Sequence, residues 1–287
     1  MNPIVHHPFS YQLGPLQLTG FGIAVLLAFV IAQITSAEIL AERGYDPSIT
    51  SDCLFGAVVG GLLGAKIYYA VLMGSVHALV ERAGFVFWGG LAGGIVATAI
   101  VIWAKKWPFT RISDAAAPGL AAAYSIGRTG CWAVGDDYGR PWNSPFAVAF
   151  PDGAPPSTAQ NLAQLFHLNL PPGTPAGRVM SVYPTQLAEV ALGFVMFLIL
   201  WRLRNHKHAE GWLFGLYCVL AGLERFVIEF FRAKDDRFFG VLTMAQVIAI
   251  GFAVGGALWM AARWRVRPGA PGIYATEATV AGQPAVA

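Results

Sequence analysis

The sequence predicts an all-α integral membrane protein of about seven spans, with its N-terminus outside and its C-terminus inside, and three observations predict it. Apolar residues fill 56% of the 287 positions and charged residues only 12%, roughly half the charge of an ordinary soluble domain. Mean hydropathy is +0.55. The apolar residues lie in continuous runs, at 20–40, 53–72, 84–104, 115–126, 184–203, 211–231 and 241–264. Most of these approach the ~20 residues that cross a bilayer as a helix, and none shows the alternation of a membrane barrel strand.

The first run starts late, has no basic leader and runs on into Ala-Glu-Ile-Leu, so it is read as a retained helix and not as a cleaved signal. The fourth run is the shortest and the least certain to span. Lys and Arg in the short loops set the orientation. With the N-terminus outside, ten fall inside: Arg43, Lys105, Lys106, Arg111, Arg202, Arg204, Lys207, Arg263, Arg265 and Arg267. Seven fall outside: Arg82, Arg128, Arg140, Arg178, Arg232, Lys234 and Arg237. The group after the sixth run is the exception to the rule.

The longest connection, 128–182, is rich in Pro, Gly, Ser and Asn and is expected to form a small extracytoplasmic head. Residues 1–267 thus form one membrane domain with that insertion, and the Ala/Gly/Pro-rich tail 268–287 is expected to be disordered. Cys53, Cys131 and Cys218 are odd in number and belong to or border apolar runs, which is no disulfide framework. No internal repeat supports an inverted-repeat transporter. A net charge of +3 is mostly topology signal and points to no nucleic-acid partner.

Charges inside the apolar runs need a reason. Lys66, Glu224, Arg225 and Glu229 would cost on the order of 10 kcal/mol in lipid unless paired or facing a polar cavity. Arg225, Glu229 and Arg232 have i, i+4, i+7 spacing and so share one helix face. That face lines a cavity, or Arg225 and Glu229 simply pair as interhelical glue. Lys66 lies inward or snorkels from a helix end. Gln186 and Glu189 open the fifth run three residues apart, either as a shared polar face or, with Thr185, as a helix cap.

The stretch SIGRTGCWAVGDDYGRPW concentrates site chemistry. Glycines 127, 130, 135 and 139 allow tight turns and close backbone approach to a ligand. Arg128 and Arg140 are planar cations suited to phosphate. Asp136 and Asp137 are able to orient them, act as base or hold a divalent ion, though nothing in the spacing supports a metal pair. Together they describe an anion site at the membrane surface.

GRTGCWAVGDDYGR resembles the motif G-R-x-G-N-F-x-N-G-E-x-x-G-R of the prolipoprotein diacylglyceryl transferases. LGPLQLTGFGI, GAKIYY, FWGGLAGG, YPTQLAE, ERFVIEFFRAKDD and VLTMAQV match in order, so the resemblance extends to about Arg265. It implies a seven-helix enzyme of the bacterial inner membrane, N-out, with a periplasmic head and no cofactor or metal. It implies transfer of the diacylglyceryl group of phosphatidylglycerol to the lipobox cysteine of a preprolipoprotein, releasing glycerol phosphate. By position, Arg128 and Arg225 resemble the phosphate-handling arginines, Glu229 and Asp136 the orienting acids, and Gly139 the essential glycine. Arg140, Arg232, Lys66, Gln186 and Cys131 complete the expected substrate-binding set, with Glu229 or Asp136 as the base.

The chain departs from the family pattern at several polar positions. Cys131 and Val134 replace asparagines, Asp136 a glutamate, Trp88 and Tyr183 histidines, Phe21 a tyrosine and Lys66 an arginine. Two readings stay open: a working transferase, or a divergent paralogue that binds anionic phospholipid without catalysis or uses another acceptor. Cys131 itself either accepts a lipid fragment or packs as a small buried residue.

Overall fold

The computed structural model describes residues 4–14, 16–80, 84, 86–234, 237, 238 and 241–264. Arg82, Asp235, Asp236, Arg265, Arg267 and the tail 268–287 lie outside the described residues. The chain is mostly helical: α1 Gly20–Glu42, α2 Ile49–Met73, α3 Phe87–Ala104, α4 Phe109–Val134, the short α5 Ala159–Gln164, α6 Thr185–Arg202, α7 Trp212–Ile228 and α8 Met244–Ala262. Every apolar run coincides with one long helix. Four of these, α1, α2, α6 and α8, are long and apolar enough to cross a membrane.

Local chemistry fixes the helix ends. The Thr19 hydroxyl accepts from the Gly22 N–H at 3.1 Å and starts α1. Gly74 and Gly135, at φ +61° and +67°, close α2 and α4 in the left-handed conformation that suits glycine. Thr243 and Gln246 form a reciprocal capping box, 3.1 and 3.2 Å, that opens α8.

One expectation is corrected. The fourth run was the short one in the sequence, yet α4 has 26 residues and extends past the run at both ends. Its extra turns were hidden by charges that the fold satisfies internally. Asp114, fully buried, accepts from the Phe214 N–H at 2.9 Å at the start of α7 and from His206 Nε2 at 3.2 Å. Arg128 is ion-paired with Asp137 and Glu189 at the other end of α4. Residues 128–134 are therefore helix and not head, and glycines 127 and 130 sit in helical turns. Short strands accompany the helices without changing the all-α class: β1 Ile4–Val5, β2 Ser10–Leu13, β3 Leu16–Thr19, β4 Val148–Ala149, β5 Ser181–Val182, β6 Arg237–Phe238 and β7 Leu242–Thr243.

The long helix α4 packs against α1, α6 and α7, while α2 pairs with α3 and α7 with α8. The α2–α3 pair is held at backbone distance by Gly60 and Gly64 on one side and Gly89 and Gly93 on the other; a Cβ on any of these would strike the facing helix. Between α4 and α6 the chain builds a small head. There β4 pairs with β5 antiparallel and with N-terminal β1 parallel, over a core of Tyr138, Val148, Phe150, Leu162, Leu168 and Val182. The head thus ties the C-terminal end of α4 to the N-terminal end of α6, and the site forms at that junction.

Candidate active site

Glu189, on the second turn of α6, is the hub. Its side chain is 1% exposed and binds Arg128 Nη2 of α4 directly. Arg225 Nη1 of α7 stands 3.9 Å from Glu189 Oε1, and Arg232 Nη1, just after α7, stands 4.0 Å from it. Three arginines from three parts of the chain converge on one carboxylate. Each has a second acid. Asp137 bridges Arg128 Nη1 at 3.0 Å and Arg232 Nη2 at 2.5 Å, and Glu229 takes Arg225 Nη2 at 2.7 Å. Burying such an array costs several kcal/mol per ion unless the pairs are close and hydrogen-bonded, which accounts for its density.

The i, i+4, i+7 argument holds only in part. Arg225 and Glu229 do meet, but α7 ends at Ile228 with Glu229 as its cap. Arg232 reaches the cluster through the turn that follows, where its residue pairs with Gly139 in an isolated β-bridge. Arg232 therefore belongs to the site and not to a free loop.

The loop after α4 supplies the other walls. Gln186 is fully buried and donates from Nε2 to the Asp136 carbonyl at 2.5 Å, and Thr185 donates from Oγ1 to the Asp137 carbonyl at 2.8 Å. These side chains hold the two aspartates in place and make no helix-capping bond. Gly139 is where backbone crosses backbone: its N–H donates to Tyr183 O at 2.8 Å, and a Cβ there would lie 2.5 Å from Phe231 O and 2.6 Å from Tyr183 Cβ. The close approach is to protein, joining the head to the end of α7.

Arg140 turns the same way. It donates from Nε to Arg232 O at 3.1 Å and from Nη2 to Lys234 O at 3.2 Å, and with Glu229, Thr243 and Gln246 it lines a cavity of about 160 Å³. Lys66 lies on α2, outside the elements that build the cluster, with its ammonium 5.9 Å from the Tyr69 ring centroid. Cys131 is buried on α4, with Arg128 Nη1 donating to its Sγ at 3.3 Å. Cys131, Asp136 and Asp137 offer ligand atoms within 4.8 Å of one another, but Asp137 is committed to two guanidinium groups, a setting that opposes a cation. Among the positions of family departure, Tyr183 stacks on Trp142 at 4.3 Å, and Trp88 and Phe21 are exposed large side chains.

The two adjacent aspartates differ in proton affinity. Burial raises the Asp136 carboxyl to about 6, and the neighbouring Asp137 charge adds to this. Burial acts on Asp137 in the same sense, but Arg232 and then Arg128 outweigh it and hold that carboxyl well below the usual carboxylate range. The arrangement leaves hydrogen-bonding capacity unused inside the protein: Arg128 Nε, Arg232 Nε, Asp136 Oδ1 and Gln186 Oε1 are buried with no hydrogen bond to any of the described residues, Arg232 Nε standing 3.8 Å from Glu229 Oε2. Donors and acceptors thus remain for a polar ligand, and Arg225, 33% exposed, is the most open of the three arginines.

Glu189, Asp137, Glu224 and Tyr124 take part in the cluster without standing among the site residues the sequence assigns. Glu224 and Glu189 were visible as charges in apolar runs, and the Gln186–Glu189 spacing was a usable signal. Tyr124 gave none, since a tyrosine within an apolar helix has many uses.

The sequence profile of the prolipoprotein diacylglyceryl transferase family matches residues 8–262. Proteins called phosphatidylglycerol–prolipoprotein diacylglyceryl transferase in Burkholderia thailandensis and Burkholderia mallei are each 30% identical over 287 aligned positions, covering 91% of this chain and 95% of the relative.

Proposed function

The chain belongs to the prolipoprotein diacylglyceryl transferase family, and from that premise we propose that it moves the diacylglyceryl group of phosphatidylglycerol onto the lipobox cysteine of a preprolipoprotein. The observation that carries this reading is the convergence of Arg128, Arg225 and Arg232 on Glu189, with unused guanidinium donors at Arg128 and Arg232. Such donors match a phosphate whose negative charge grows as its ester bond breaks.

In this scheme Asp136 takes the proton of the acceptor thiol. Its Oδ1 is unpartnered and its carboxyl titrates at about 6, so it is ionised at neutral pH yet more basic than an ordinary aspartate. The sulfur then bonds to the glyceryl carbon, the carbon–oxygen bond to phosphate breaks, and its electron pair leaves with glycerol phosphate. Arg225 and Arg128 meet that charge. Glu229 aims Arg225, and Asp137 sets the distance between Arg128 and Arg232. Cys131 is a packing neighbour of Arg128 in this account and takes no lipid.

All seven long helices are taken to cross the bacterial inner membrane, N-terminus outside. The described basic residues support this orientation. Arg43, Lys105, Lys106, Arg111, Arg202, Arg204, Lys207 and Arg263 gather at the end away from the head, and at the head end, beside Arg140, Arg178, Lys234 and Arg237, the residues Arg128, Arg225 and Arg232 are ion-paired in the site.

The test is mass spectrometry of purified protein with phosphatidylglycerol vesicles and a lipobox peptide. A diacylglyceryl mass gain on the peptide cysteine is expected. Arg128→Ala and Arg225→Ala abolish it, and Cys131→Ser does not. Bound phosphatidylglycerol without peptide modification would favour the divergent reading and another acceptor, and full activity in Arg225→Ala would remove that arginine from the mechanism.

A further inference from the structure

Tyr124 of α4 stands between two carboxyl groups. Its hydroxyl oxygen lies 3.1 Å from Glu189 Oε1 and 3.0 Å from Glu224 Oε1. A phenol carries one proton, and two oxygen–oxygen contacts of hydrogen-bond length require two. The second proton must come from one of the carboxyls.

Their surroundings decide which. Glu189 binds Arg128 directly and has Arg225 and Arg232 at 3.9 and 4.0 Å, so its charge is compensated from three sides. Glu224 is also buried, and among the described residues no ion pair to it is found. The titratable groups around it are Tyr124 and Arg128 from α4, Glu189 from α6, and Arg225 and Tyr217 from its own helix. Helix α8, packed on α7, contributes no titratable residue. A second carboxylate beside Glu189 would be repelled at low dielectric, whereas a neutral acid donates to the phenol oxygen, which donates in turn to Glu189.

We propose that Glu224 is a neutral carboxylic acid in the resting protein and that the chain Glu224–Tyr124–Glu189 is a positioning device for the arginine cluster. Each proton in the chain points toward Glu189. The Glu189 carboxylate is thereby held on Oε1 by the phenol, leaving Oε2 for Arg128. Ionisation of Glu224 reverses or breaks the chain, and the cluster loses its fixed geometry. The protonation state rests on geometry alone, while its use in transfer rests on the function proposed above.

Infrared spectroscopy in an ester-free detergent tests the protonation directly. At neutral pH the wild type should show a carboxylic C=O band that is absent in Glu224→Gln and shifted in Tyr124→Phe. Glu224→Gln keeps a donor for Tyr124 and should retain transfer within about threefold at neutral pH while losing the fall of kcat at alkaline pH; Glu224→Ala removes the donor and should lose about tenfold or more. Superimposable wild-type and Glu224→Gln spectra in the carboxylic region would overturn the proposal, as would a Gln variant as impaired as the Ala one. A Glu224-dependent band in a protein that modifies no peptide would leave the protonation assigned and remove the transferase reading instead.

Discussion

Arg128 shows how one residue can be both structure and site. Its guanidinium serves Glu189, Asp137 and the Cys131 sulfur at once, a geometry that needs a planar fork. Arg128→Lys keeps the charge but supplies a point cation, so transfer should fall by about 10²–10³ in kcat although the protein still folds; kinetics beside a melting curve would show it. The aspartate pair gives a signed pH prediction. Asp136 has its folded pKa raised to about 6, so its ionised form costs stability, and that cost grows as pH rises from about 4 to about 6. Asp136→Asn should therefore raise the melting temperature at pH 7 and not at pH 4, while abolishing transfer at both, because an amide does not take the thiol proton. Asp137 runs the opposite way. Its lowered pKa stabilises the fold above about pH 4, and that stabilisation fades as pH falls through the lowered value.

At the scale of elements, the site is a joint between α4, α6 and the end of α7, locked by the loop that carries Asp136 to Arg140. Gly139 is the pin of that joint. Gly139→Ala forces a Cβ against Phe231 O and Tyr183, and the resulting overpacking should cost about 1–3 kcal/mol. Thermal unfolding in detergent would measure that cost, with transfer lost beyond what stability explains because Arg232 moves with Phe231. Helices α2 and α3 are built on another plan. Their glycines bring backbone against backbone, so a large residue at Gly64 or Gly93 would part the pair without touching the arginine cluster.

For the whole molecule the consequence is orientation. The head, the N-terminal strands and the cluster share one end, and Arg43, Lys105, Lys106, Arg111, Arg202, Arg204, Lys207 and Arg263 share the other. A cysteine in place of Phe146, on the head and 72% exposed, should react with an impermeant maleimide in spheroplasts. One in place of exposed Lys207 should react only after the membrane is opened. The reverse pattern would invert the topology and place the site on the wrong side for a secreted acceptor.

Seven apolar runs determined where the long helices would form, because a bilayer-length stretch without alternation has few other ways to satisfy its backbone. The motif around Arg128 and the charges at Arg225, Glu229 and Arg232 likewise marked the residues of a charged cluster from sequence alone. Tertiary structure alone decided how these meet. It extended α4 through Arg128, because burial against α6 supplied Glu189 as a partner that no local pattern names. It carried Arg232 into the site by a turn, where helical spacing had pointed to a face. It turned Gly139 and Arg140 toward the backbone of the α7 end, and it set Tyr124 between two glutamates 65 and 100 residues away. Those pairings depend on contacts between distant segments, and periodicity within one helix carries no information about them.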